Sequence, residues 1–176
     1  MKDIPIIKLY GASGCHKTNQ YQLVLDDIQL PYQFLDVVAN EEHAEELRDL
    51  YANHKLNFPT ITIGGKKLRN PRKEDLIKWI NKLIPNRLPL IHDKDNQQFI
   101  LDINGEKAHV DYTLRDGQMF LMYSEVPYNL RGQGFGRVLV EKSFEQLTKE
   151  GFQAVAVCSY IKAIAKRSEK WQAIIG

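Results

Sequence analysis

Apolar positions change period along the chain. Ile4–Tyr10 is a short run, apolar at nearly every position, which predicts a buried strand. A turn follows at Gly11–Gly14. Tyr21, Val24, Leu25 and Ile28 then recur at i, i+3, i+4 and i+7, which predicts a helix beginning near Cys15. Pro31 opens a second strand, Tyr32–Val38. Asn40 is a helix cap followed by Glu41 and Glu42 in the first turn, with Ala44, Leu47 and Tyr51 on the buried face. Phe58–Ile63 reads as a third strand, and Gly64-Gly65 as a hairpin turn into Lys66–Leu68. A last helix, Glu74–Leu83, buries Leu76, Ile77, Ile80 and Leu83. The order is βαβαββα, an α/β unit expected over residues 1–84.

Residues 85–89, with prolines at both ends, read as a linker to a second domain over 90–176. That domain opens with a strand, Gln97–Ile103. Asn104-Gly105 turns it into Lys107–Leu114, where Ala108, Val110 and Tyr112 alternate, and Asp116-Gly117 turns again into Gln118–Val126. This gives three antiparallel strands. Gly132, Gly134 and Gly136 follow, where strand becomes helix. Gly136, Val140, Phe144 and Leu147 mark one helix face, and Gly151 stops it. Ala154–Val157 is another strand, ending at Cys158, and Tyr160, Ile164 and Trp171 lie along one final helix. Glycines at a helix start let the backbone approach a ligand, and the unpaired N–H groups there suit a phosphate. The alternative is a tight connection whose glycines only satisfy turn geometry.

Composition narrows the class. The chain has 176 residues, 43% hydrophobic and 26% charged, as in ordinary globular proteins. Net charge is +2, and residues 1–84 hold 12 Lys/Arg and 11 Asp/Glu of the 24 and 22 in the whole chain. Neither half is a basic module, which argues against nucleic acid as the partner. No apolar run of about 18 residues and no signal-peptide core are present, so no membrane partner is expected and the expected location is the cytoplasm. Two cysteines, Cys15 and Cys158, exclude a disulfide framework and a four-cysteine zinc site; no metal is expected. Each is otherwise a small buried hydrophobe. Cys15 stands at a helix start, where the dipole and free N–H groups lower a thiol's pKa, with His16 and Lys17 adjacent.

The βαβαββα order, with Cys15 after the first strand and Pro59 before the third, resembles a glutaredoxin of the thioredoxin-like fold. The likeness covers about residues 4–84. It implies that Cys15 is a nucleophilic thiol and Pro59 a cis-proline, with a thiol or glutathione site at Cys15, Thr18, Phe58 and Pro59. The family's second motif position is Cys or Ser, and here it is Thr18, so a dithiol mechanism within this domain is excluded. Ala12-Ser13-Gly14 stands where a basic residue is usual, the Cys-Gly-Phe-Ser signature is absent, and the Gly-Gly-Asp segment is only loosely matched by Lys66–Asp75.

The second half, about residues 88–175, resembles the GNAT superfamily of N-acetyltransferases. Its Arg/Gln-x-x-Gly-x-Gly/Ala motif stands here as Arg131-Gly132-Gln133-Gly134-Phe135-Gly136. Glu125-Val126-Pro127, Leu130 to Gly134 and Cys158-Ser159-Tyr160 further resemble a compact subfamily that lacks the first strands and helices. The likeness implies acetyl-CoA as cofactor. Gly132 to Arg137 would hold its pyrophosphate, and Glu125-Val126 would meet the pantetheine arm. Cys158 is a catalytic candidate and Tyr160 a candidate proton donor, acting on a small-molecule or protein amine or thiol. The subfamily often has His-Thr where this chain has Tyr123-Ser124, and His109 lies on the neighbouring strand. Two other functions are open: a glutathione-linked redox protein whose second half only binds CoA, and a non-catalytic binding module.

Overall fold

The structure is a computed structural model describing residues 3–176. The chain divides into two compact units, Met1–Ile84 and Pro85–Gly176, each with its own sheet. Both are α/β. Among the described residues, no helix is long and apolar enough to cross a membrane.

The first unit runs β1 (Ile7–Gly11), α1 (His16–Asp27), β2 (Gln33–Asp36), α2 (Glu41–Asp49), β3 (Thr60–Ile63), β4 (Lys66–Arg69) and α3 (Lys73–Leu83). The sheet order is β2-β1-β3-β4. β1 is parallel to β2 and antiparallel to β3, and β4 is antiparallel to β3. Alternation along β1 separates two cores. Ile7 and Leu9 pack with Tyr21 and Leu25 of α1, with Ile61 and Ile63, and with Leu76 and Ile80 of α3. Tyr10 faces the other way, with Val37, Ala44 and Leu47. There its hydroxyl donates to Glu46 at 2.7 Å, and Lys8 pairs with the same carboxylate at 2.5 Å.

Several expectations for this unit are corrected at element ends. β1 starts at Ile7 and not Ile4: Pro5 has no N–H to give a ladder, and Ile4 and Ile6 are exposed. β2 is shorter than Tyr32–Val38, because the Asp36 carboxylate takes the N–H groups of Val38 and Ala39, both at 2.9 Å. Asn40 caps α2 as expected, accepting from Glu42 N–H at 2.8 Å. Tyr51 lies beyond the end of α2, its hydroxyl 2.7 Å from that of Thr60. Leu83 is partly exposed and Ile84 takes the buried place on the α3 face.

The second unit runs β5 (Leu90–Asp93), β6 (Gln98–Ile103), β7 (Glu106–Arg115), β8 (Gln118–Glu125), α4 (Phe135–Lys149), β9 (Gln153–Ala156), α5 (Ser159–Ala165) and α6 (Glu169–Gln172). The strands lie in sequence order. β5 to β8 are antiparallel, and β9 is parallel to β8 after the α4 crossover. Four antiparallel strands replace the three expected, since β5 follows directly on Pro89. Residues 85–89, expected as a linker, hold a 3-10 turn, Pro85–Arg87, and then buried Leu88. The single final helix is two helices. The break falls after Ala165, and Ser168 opens α6 by accepting from the N–H groups of Trp171 and Gln172.

At the far edge of the unit α4 is clasped to β5. The His92 ring stacks on Phe99 at 4.3 Å. Its Nδ1 is 2.8 Å from Glu150 Oε1 and its Nε2 is 2.8 Å from the Tyr112 hydroxyl. Gln146 donates to Glu150 at 2.6 Å, and Lys94 pairs with it at 3.1 Å. Burial pushes the Glu150 carboxyl up. Bonds from His92, Gln146 and Lys94 outweigh that and hold it at about 2.

Candidate functional sites

In the second unit, two strands part company. β8 pairs with β9 only from Gln118 to Leu121. There the N–H groups of Val157 and Cys158 both donate to the Leu121 carbonyl, at 3.0 and 3.1 Å. β9 then turns into α5, whose N-cap is Cys158, while β8 continues to Glu125. On its other side β8 is bulged. Asp111 pairs with Tyr123 but Tyr112 pairs with Leu121, so Met122 is the extra residue. The backbone from Met122 to Glu125 therefore has no strand on its β9 side among the described residues. Tyr123, Val157 and Tyr160 are each about half exposed there, at 50%, 50% and 47%.

The glycine segment lies just beyond. Arg131 donates to the Val126 carbonyl at 3.0 Å and sits over the Tyr128 ring. Gln133 donates to the Asn129 carbonyl at 3.0 Å. Gly132 and Gly134 have φ of 77° and 83°, a region that disfavours side chains. The α4 ladder begins with Val138 N–H to the Gly134 carbonyl at 3.2 Å, so the amides of Phe135, Gly136 and Arg137 precede its first rung. Gly136 has a different reason to be glycine. A Cβ there would lie 2.7 Å from the Tyr160 hydroxyl. Tyr160 thus rests on the first turn of α4. Burial pushes its phenol up, against the opposing pull of Arg167 and Arg137, so it stays protonated at neutral pH.

In the first unit, Cys15 is the N-cap of α1. The Thr18 amide and hydroxyl both stabilise the Cys15 thiolate, and the Lys17 amide and charge add to them. Together they lower the thiol's pKa against the effect of its burial. His16 does not contribute; its ring pairs with Gln20 at 3.0 Å. Thr18 is fully buried and accepts from Ala12 N–H at 3.2 Å, leaving its own proton for the sulfur. Ser13 is tied to β2 by Asp36, which accepts from its hydroxyl and, at 3.1 Å, from its N–H; these bonds hold the Asp36 carboxyl well below its usual range. The Phe58–Pro59 bond is cis. Tyr10 pairs with Thr60, the first residue of β3, so Pro59 lies just before β3, at the end of the sheet where β1 leads into the Cys15 turn.

Cys15 and Thr18, and Cys158 and Tyr160, stand close in the sequence, each pair at the start of one helix. The Asp36 tether, the Met122 bulge and the Gly136–Tyr160 contact were not legible in the sequence. The Asp36 tether spans 23 residues, the pairs flanking the bulge span 12 and 9, and the Gly136–Tyr160 contact spans 24, with no local pattern to link them. Among the described residues, no group of three His, Cys, Asp or Glu is placed to hold a metal ion.

The two units thus define a thioredoxin-like domain with one activated thiol and a second α/β domain with a glycine-led helix beside a parted strand pair. Comparison with known families agrees. The glutaredoxin model matches residues 7–68, and the model described as GCN5-related N-acetyl-transferase matches residues 98–174. The chain joins an N-terminal glutaredoxin domain to a C-terminal GNAT-type acetyltransferase domain. A search of curated proteins found no match.

Proposed function

We propose that the second domain transfers an acetyl group from acetyl-CoA to an amine, and that the first presents Cys15 to thiol-bearing compounds. One observation carries the reading: β8 and β9 separate at Leu121, beside a glycine-led helix start. The residues fit the cofactor. Nothing lies within 4 Å of a Cβ built on Gly132, so the backbone there is open to close approach. Gly132, Gln133, Gly134, Phe135, Gly136 and Arg137 would hold the pyrophosphate through backbone amides and the helix dipole. Glu125 and Val126, at the end of β8, would meet the pantetheine arm, and Arg131 braces that end by its bond to the Val126 carbonyl. When bound, acetyl-CoA supplies an activated acyl thioester.

The chain's own residues then divide the work. Tyr160, kept protonated, gives its proton to the departing sulfur. The open edge at Met122–Glu125 positions the acyl carbonyl against a backbone N–H. Cys158, at the turn from β9 into α5, is the alternative first nucleophile. Intact-mass spectra after acetyl-CoA addition separate these routes: an acetyl adduct lost in Cys158→Ala supports the covalent one.

Isothermal titration tests the central reading. Acetyl-CoA binds the full chain, and Gly134→Trp abolishes binding while leaving Cys15 alkylation intact. No binding by the wild type, or unchanged binding by the variant, contradicts it.

A second reading is favoured by the Thr18 bonds to Cys15: thiol–disulfide exchange with glutathione. The expected result is turnover of a glutathione mixed disulfide by the wild type and none by Cys15→Ser. Equal rates rule it out. Location in the cytoplasm is part of this proposal, since a free activated thiol suits a reducing compartment.

A further inference from the structure

The acceptor side of the second domain carries chemistry that the glycine segment does not explain. Along β7, Ala108, Val110 and Tyr112 are buried toward α4, and the alternate residues face the other way. His109 and Asp111 lie on that second face. Register places His109 opposite Glu125 and Asp111 opposite Tyr123, so all four side chains share the face at the end of β8 that runs on past β9. The His109 ring lies 6.2 Å from the Tyr123 ring, tilted by 50°. Its Nε2 is 3.6 Å from Asp111 Oδ1, and that oxygen is itself fixed by a 2.8 Å bond from Gln98. Nδ1 makes no hydrogen bond among the described residues. The His109 side chain is 25% exposed.

This is a carboxylate beside an imidazole whose nitrogens make no hydrogen bond among the described residues, with a second carboxylate and an exposed aromatic ring on the same face. Asp111 and Glu125 attract a cation, and Tyr123 gives an apolar substituent a surface. Other charged groups on the face are Lys107 and, opposite it, Asp102, with Asp93 on β5 in the row of Asp111 and Arg115 farther along β7. An amine is a nucleophile only once it has lost its ammonium proton, and imidazole is the side chain suited to take that proton near neutral pH.

We propose that His109 is the catalytic base of the acetyl transfer, and that the acceptor is a cationic primary amine carrying an apolar group. The inference rests on the acetyltransferase reading above. In the step, His109 Nδ1 takes a proton from the ammonium group. The freed nitrogen lone pair forms the N–C bond to the thioester carbonyl, and the C–S bond breaks. The nitrogen's surplus proton balances the departing thiolate by way of Tyr160, and His109 returns its own proton to solvent. No electrons leave or enter.

The test uses full-length protein, saturating acetyl-CoA, and two probe acceptors of similar shape at neutral pH. Benzylamine is protonated there and aniline is not. Products are read by mass spectrometry, and acetyl-CoA binding by titration. His109→Gln is expected to lower kcat for benzylamine by about 100-fold, the usual loss of a general base. It leaves aniline within about threefold, and leaves acetyl-CoA affinity unchanged. Added imidazole restores benzylamine turnover in His109→Ala. Independently of turnover, benzylamine slows modification of His109 by diethyl pyrocarbonate. Equal losses for both amines, no loss for either, no protection, or acetyl-CoA binding without acetylation of either amine overturns the proposal alone. Failure to bind acetyl-CoA overturns the acetyltransferase reading with it.

Discussion

Three glycines show how one hydrogen atom in place of a methyl group sets a site. Gly11 lies against Thr18, whose Oγ1 and Cγ2 would be 2.4 and 2.5 Å from a Cβ. Thr18 is short, branched and buried, so it cannot yield. Gly11→Ala is expected to cost about 1–3 kcal/mol by overpacking. Gly14→Ala, with nothing within 4 Å, is expected to stay within about 0.5 kcal/mol, and urea titration of both variants measures the difference. Thr18 also sets the thiol. Thr18→Val keeps the shape and removes the hydroxyl, so the Cys15 thiolate loses a donor and its lowered pKa rises. Iodoacetamide alkylation of Cys15 then shifts to higher pH; an unchanged pH profile contradicts the assignment. Gly136 meets the movable end of Tyr160, so Gly136→Ala displaces the phenol at little cost to stability. The expected loss is in acetyl transfer rate, measured beside an unchanged melting temperature. The sequence showed Gly136 as a motif position and Tyr160 as a candidate donor but no sign that they touch, because the contact depends on how α5 returns to α4.

At the scale of elements, α4 carries the glycine segment at one end and Glu150 at the other. His92 and Lys94, at the β5 edge, hold Glu150 and so fix the helix on the sheet. Replacing His92 by Ala removes one partner of a buried pair and is expected to cost about 3 kcal/mol. Hydrogen exchange of α4 amides reads that loss locally. Glu150 gives the pH dependence. Its folded pKa of about 2 is depressed below the ordinary 4.5, so its stabilisation is present above about 4.5 and fades as pH falls toward 2. Exchange in α4 should quicken through that window in the wild type, and Glu150→Gln should flatten the response. Elements with a strong period were legible in advance: α1, α2, α3, α4 and the β6–β7–β8 meander follow their apolar spacing and turn residues. Those decided by partners were not. β5 is four residues long and follows Pro89, so only pairing with β6 identifies it. The Met122 bulge leaves no periodic trace, because one inserted residue looks like a change of face. The α5–α6 break leaves α6 four residues long, opening at the Ser168 backbone carbonyl, too short to leave a period.

At the scale of the whole molecule, two sheets without a shared strand carry two candidate sites. Each domain holds its candidate site on its own elements, so the sites should fail separately: Cys15→Ser leaves acetyl-CoA binding unchanged, and Gly134→Trp leaves Cys15 reactivity unchanged. Loss of both functions in either variant contradicts that independence. The boundary between the two compact units falls next to the stretch from Pro85 to Pro89 that separates the two patterned halves of the sequence. The acceptor chemistry was not legible, because His109, Asp111, Tyr123 and Glu125 meet only through the β7–β8 register. The most direct test of the acetyl-CoA site is an amide NMR titration of the full chain with that ligand. The account predicts shifts concentrated at residues 122–126, 131–137 and 157–160, with the amides around Cys15 unmoved. Shifts centred elsewhere, or none, would contradict it.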